Sequence, residues 1–130
     1  NSKDYFVAYK AVNEDLSSLY SSKSFYKVGK QYRTLCNYDP QGGSSGFWSG
    51  TLSYAILYGC NEGGFDFKLI KVHIPIEDCA EVGNSTIQSG SIEIIEIVEM
   101  NDEIQNTIEK SRRAKTRVLN FQPYYGTCNF

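Results

Sequence analysis

The sequence predicts a single α+β domain, a mostly antiparallel sheet of about five strands flanked by two or more helices. Three observations point there. The chain has 130 residues, of which 41% are hydrophobic, enough for one domain with its own core. Runs rich in β-branched and aromatic residues recur at 4–12, 24–36, 65–74 and 91–99, separated by turn-forming residues. Two other stretches, 51–59 and 101–119, carry apolar residues at helical spacing.

The first strand is DYFVAYKAV at 4–12. Val7, Tyr9 and Ala11 share one face, and Phe6, Ala8, Lys10 and Val12 the other. Both faces are mostly apolar, which predicts a central strand. Residues 13–20, opening on Asn13, Glu14 and Asp15, read as one or two helical turns. Residues 24–36 read as strand, turn at Gly29 and strand, packing through Tyr26, Val28, Tyr32 and Leu35. Residues 37–50 hold Pro40, Gly42, Gly43, Gly46 and Gly50 and read as a loop. A helix then runs over 51–59, with Thr51 as N-cap, Gly59 as C-terminal stop, and Leu52, Ala55 and Ile56 facing the core.

The strand at 65–74 ends at Pro75, and 76–90 read as loop with an acidic patch of Glu77, Asp78 and Glu81. The next strand spans 91–99. The last helix, 101–119, is capped by Asn101 or Asp102. Its acids lie at its start and its bases at its end, as the helix dipole favours. The domain is expected to occupy 1–119, with 120–130 a C-terminal tail packed on it.

The formal charge of −2 disfavours a generally basic nucleic-acid binder. It averages unlike segments: net +1 over 1–65, −8 over 66–109 and +5 over 110–130. No run reaches the ~18 apolar residues of a membrane span. Cys36, Cys60, Cys79 and Cys128 show no C-x₂-C spacing, and with one histidine no metal site is expected. Reduced, partly buried thiols are favoured over disulfides. The sequon Asn84-Ser85-Thr86 matters only in a secreted chain.

Four stretches offer chemistry, each beside a plainer reading. The segment GGSSGFWSG at 42–50 leads into a helix N-terminus and could cradle an anion, or be a surface loop. It lacks G-K-[ST] and G-x-G-x-x-G. His73, among Val72 and Ile74, reads as structural. Glu93, Glu96 and Glu99 offer single carboxylates. In a regular strand Glu93 and Glu99 point one way and Glu96 the other, and the first two lie about 20 Å apart, too far for a paired acid/base site. Lys110, Arg112, Arg113, Lys115 and Arg117 form a basic patch able to touch nucleic acid, acidic protein or phosphate, or a solvated helix end.

In chain order, Y-K-A at 9–11, F-Y-K-V-G-K-Q-Y at 25–32, G-F-W-S-G-T-L-S-Y-A-I-L-Y-G at 46–59, L-I-K-V-H-I-P at 69–75 and I-Q-S-G-S-I-E-I-I-E at 87–96 resemble a family of small uncharacterised domains of bacteriophages and large DNA viruses. Trp48 stands where that family usually has His after G-F. The resemblance implies a viral accessory protein of the host cytoplasm or virion, with no established activity.

The same order is similar to an ADP-ribosyltransferase layout. There Lys10 takes the first-strand position, Ser49, Thr51 and Ser53 the S-T-S position, Tyr54 and Tyr58 the following helix, and Glu93 or Glu96 the acid. NAD would be the cofactor only in that case. Lys10 replaces the usual Arg or His, and neither E-x-E nor Q-x-E occurs. The leading expectation is therefore an accessory domain that binds a small molecule or protein without catalysis, through Gly46, Phe47, Trp48, Ser49, Thr51, Ser53, Tyr54 and Tyr58. NAD-dependent ADP-ribosyl transfer is the alternative, and nucleic-acid contact a weaker one.

Overall fold

The computed structural model describes residues 4–19, 25–36 and 45–120, with side chains as far as 114. It contains seven strands, β1 (Tyr5–Val12), β2 (Gln31–Arg33), β3 (Phe47–Gly50), β4 (Lys68–Pro75), β5 (Cys79–Val82), β6 (Thr86–Ser89) and β7 (Ser91–Ile97). Two helices, α1 (Leu52–Glu62) and α2 (Asp102–Asn120), complete it, with one 3-10 turn at Ile76–Asp78. The strands form one sheet in the order β2-β7-β4-β1-β3-β6-β5, and every pairing is antiparallel. The α+β class is as the sequence predicts, with seven strands instead of about five.

The twice-apolar β1 stands in the middle of that order. β6 and β7 are joined by Gly90 alone, yet occupy the sixth and second places. One residue cannot cross a flat sheet, so the sheet is rolled until its two ends meet. Hydrogen bonds hold the seam: Thr34 N–H donates to the Gly90 carbonyl at 2.9 Å, and Gly90 N–H to the Asp78 carbonyl at 2.9 Å. Asp78 also accepts from Ser91 Oγ at 2.6 Å and lies 3.6 Å from the Arg33 guanidinium.

Rolling gives the sheet an inner and an outer core. Ala8, Val12, Ile70, Val72, Ile74, Ile92 and Ile94 fill the inside, with Tyr26 and partly buried Leu16, Phe47 and Ile87 closing it. Outside, Ala11, Phe67 and Leu69 pack under Ala55, Ile56 and Cys60 of α1 and Ile104 of α2.

Several elements differ from expectation. Residues 13–19 are not helical. Ser17 donates its N–H and hydroxyl to Asp15 Oδ1 at 2.9 and 2.5 Å, Leu16 takes φ +68°, and the chain doubles back through Val12–Ser18 and Ser17–Phe25 bridges. Short polar side chains that satisfy the backbone locally compete with a helix in this way. Of the two strands expected in 24–36, only β2 forms. Tyr26 is buried, whereas Val28 and Leu35 are exposed. Three strands arise inside expected loops: β3 within 37–50, and β5 and β6 within 76–90.

Gly59 does not stop α1. Its missing side chain admits the Phe67 ring, to which a Cβ there would stand 2.4 Å away, and the helix continues to a Gly63 cap. Residues 37–44 and the tail at 121–130 lie outside the described residues. Among those described, no helix is long and apolar enough to cross a membrane.

Thr51 caps α1 as expected: Tyr54 N–H donates to its Oγ1 at 3.2 Å. Thr51→Ala should lower stability by about 1 kcal/mol, read as a lower urea midpoint at unchanged m-value.

Candidate functional site

The β3–α1 segment holds most of the predicted ligand-binding residues, and strand alternation divides them between two surfaces. Phe47 and Ser49 pair with Ser89 and Ile87 of β6, while Trp48 pairs with Gln88. Phe47 and Ile87 pack on the inner core, so Ser49 also faces inward. Trp48 and Gly50 face outward.

On the outer face three aromatic residues gather around Gly50. Tyr9 lies directly across from it. The Tyr54 ring covers it, and a Cβ on Gly50 would stand 2.8 Å from Tyr54 Cδ1 and 2.6 Å from the Ser85 carbonyl. Trp48 is two residues away on the same face. Tyr54 stacks on Tyr58, with centroids 6.3 Å apart at 26°. Trp48 is 45% and Tyr54 39% exposed, whereas Tyr9 and Tyr58 pack into the outer core. Gln88, the partner of Trp48 on β6, is fully buried, and its Nε2 donates to the Ser45 carbonyl.

Of the expected anion cradle, residues 42–44 lie outside the described residues, and at the start of α1 Thr51 takes one first-turn N–H, that of Tyr54. Gly46 has a structural reason: its φ is +114°, and a Cβ there would meet Cys36 Sγ and the Ser89 carbonyl. Ser53 lies apart from the aromatic cluster. It lines an apolar groove of about 300 Å³ between α1 and α2, with Leu52, Ile56, Leu57 and Ile104.

Lys10 faces inward, opposite Ile70. Its ammonium donates to the Trp48 carbonyl and stands 6.0 Å from the centre of the Tyr26 ring. Burial pushes its pKa down to about 8, since an ammonium is disfavoured away from water. Glu93 pairs with His73, and Glu96 with Lys71, whose partners on β1 are Val7 and Tyr9. Both carboxylates therefore lie outside. A register shift between Lys71 and Val72 leaves one extra residue on β7, which turns Glu96 to the same side as Glu93. That corrects the regular-strand expectation. Glu96 lies 3.8 Å from Lys71 Nζ. Lys10 and the two glutamates are thus on opposite faces of the sheet.

No known family, characterised protein or solved structure matches this chain.

The other candidates take ordinary places. His73 stacks on Tyr5, with centroids 4.0 Å apart at 18°. Burial lowers its pKa against an opposing pull from Glu93. Cys36 and Cys79 are free thiols whose pKa burial raises, and Cys60 is buried in the outer core. Lys110, Arg112 and Arg113 are exposed, with Arg112 over the Phe65 ring at 5.3 Å. The side chains of Lys115 and Arg117, and all of Cys128, lie outside the described residues.

Sequence reasoning named Trp48 and Tyr54 but missed Gly50, the glycine that lets the Tyr54 ring lie on the strand. A G-T pair between a strand and its helix was the available signal. Lys10 interrupting the row Phe6, Ala8, Val12 was the signal for an interior lysine.

Proposed function

We propose that this domain is a non-catalytic binding module, an accessory domain of the viral kind, that engages a small-molecule or protein partner through the outer aromatic surface at the β3–α1 junction. The observation that carries the reading is the exposure of two large aromatic residues, Trp48 and Tyr54, on the outer face at the β3–α1 junction, with the Tyr54 ring lying over Gly50. Large aromatic rings at the surface give up much water-ordered area on contact and hold few rotatable bonds, so they bind at low entropic cost. The separation of Lys10 from Glu93 and Glu96 by the sheet itself favours binding over ADP-ribosyl transfer, which requires its cationic and acidic groups around one NAD.

Trp48 is the only tryptophan in the chain, so tryptophan emission, excited at wavelengths that tyrosine does not absorb, reports on this surface alone. Titration with nucleosides, a quaternary ammonium compound and proline-rich peptides, all of which stack on aromatic faces, should give a saturable emission change with one of them. Isothermal titration of Trp48→Ala should then show at least tenfold weaker binding of that ligand. Binding unchanged in Trp48→Ala would sink the proposal. So would release of nicotinamide from NAD above a Glu93→Gln/Glu96→Gln control.

A further inference from the structure

The inner face of the sheet carries one lysine in an otherwise apolar row. Along β1 its neighbours on that face are Ala8 and Val12, and across β4 it meets Ile70. The described pairing of β1 with β3 consists of Tyr9–Gly50 alone. Beyond that pair the ladder between the two strands is interrupted, and at this split in the pairing the Lys10 ammonium reaches the Trp48 carbonyl. Tyr26 presents its ring 6.0 Å away. Among the described residues no carboxylate pairs with Lys10; the ion pairs there join Arg33 to Asp78 and Lys71 to Glu96.

A second polar group waits at the same place. One step along each strand from the Tyr9–Gly50 pair brings Ser49 opposite Lys10. Ser49 is 3% exposed, and its Oγ has no hydrogen-bond partner among the described residues. Buried hydroxyls are nearly always partnered, and a buried cation calls for an anion. The pair therefore lacks one thing, an acceptor with negative charge. Lys10 keeps part of its surface at the solvent, which leaves a way in.

We propose that the split between β1 and β3 is a binding site for an oxyanion group, a carboxylate or a phosphate, held by the Lys10 ammonium and the Ser49 hydroxyl. A charge-assisted bond from the ammonium and a second from the hydroxyl would be made where water competes least. The site is on the inner face and does not depend on the outer aromatic surface.

The test follows the Lys10 side chain by NMR in the whole chain, assigned by its loss in Lys10→Arg. Acetate and inorganic phosphate serve as probes, with chloride at matched ionic strength as control. The Lys10 titration, starting near 8, should move upward and saturate with acetate, phosphate or both, and stay in place with chloride. Acetate alone marks a carboxylate site and phosphate alone a phosphate site. Ser49→Ala should raise the half-saturating anion concentration several-fold. A Lys10 titration that responds to neither anion, or to chloride equally, overturns the proposal and leaves Lys10 as a strap on the Trp48 carbonyl. An unchanged half-saturation in Ser49→Ala overturns the two-group site. If that variant does not fold, the wild-type response decides alone.

Discussion

Gly46→Ala should destabilise the domain by about 3 kcal/mol, through backbone strain and overpacking together. The φ of Gly46 is +114°, a conformation an L side chain rarely adopts. An added methyl would stand 2.6 Å from Cys36 Sγ and 2.8 Å from the Ser89 carbonyl oxygen. The sulfur can swing aside; the carbonyl belongs to β6 and cannot. Adding Cys36→Ala to Gly46→Ala should therefore recover only a minor part of the loss. Gly29→Ala isolates the backbone share, because Gly29 has φ +87° with nothing within 4 Å of its would-be Cβ; its cost should be about 1 kcal/mol. Urea unfolding of the three variants beside wild type decides the matter. Full rescue by Cys36→Ala would show that only the thiol contact mattered. Gly46 sits beside the seam, so this position concerns closure of the rolled sheet. The sequence reading of it as a ligand cradle predicts a different result, lost binding with unchanged stability.

What was legible follows from the range of the forces involved. β1, β4, β7 and both helices carry their pattern locally, in β-branched runs and 3.6-residue spacing, and they form where expected. β3, β5 and β6 are four residues each, with Gly, Ser or charged residues among them. Only pairing with distant strands makes them strands. Gly59 reads as a helix stop because nothing nearby says that Phe67 will pack on it. The facing of Glu96 turns on a single inserted residue, and one residue reverses a strand's sides. At the candidate site, the residue types around 46–58 were visible. Their division between an inner and an outer surface required the register of β3 against β6. The interior position of Lys10 was the more accessible fact, since strand alternation alone places it among Phe6, Ala8 and Val12.

That interior lysine leads to the second large effect. Replacing Lys10 by methionine should stabilise the domain at neutral pH, by about 1–2 kcal/mol net. The fall in pKa from 10.5 to about 8 corresponds to a penalty of at most about 3 kcal/mol for holding the ammonium in the folded state, less what partial solvent access relieves. Methionine keeps the length and removes the charge, but leaves the Trp48 carbonyl without its donor, at a cost of about 1 kcal/mol. The sign of the pH dependence is fixed by linkage. Between pH 8 and 10.5 the unfolded chain binds the proton and the folded one does not, so this residue makes wild-type stability rise with pH across that window. Below pH 8 both states hold the proton and the penalty is at its full value; above 10.5 neither does. The advantage of Lys10→Met should therefore be constant up to about pH 7 and vanish or reverse by pH 10.5. Taking the difference between the two proteins at each pH cancels the titration of the other lysines, the thiols and the tyrosines. Wild type and variant differing by a pH-independent amount would mean that Lys10 is solvated in the folded state, and that the inner face of the sheet is open to water at the split between β1 and β3.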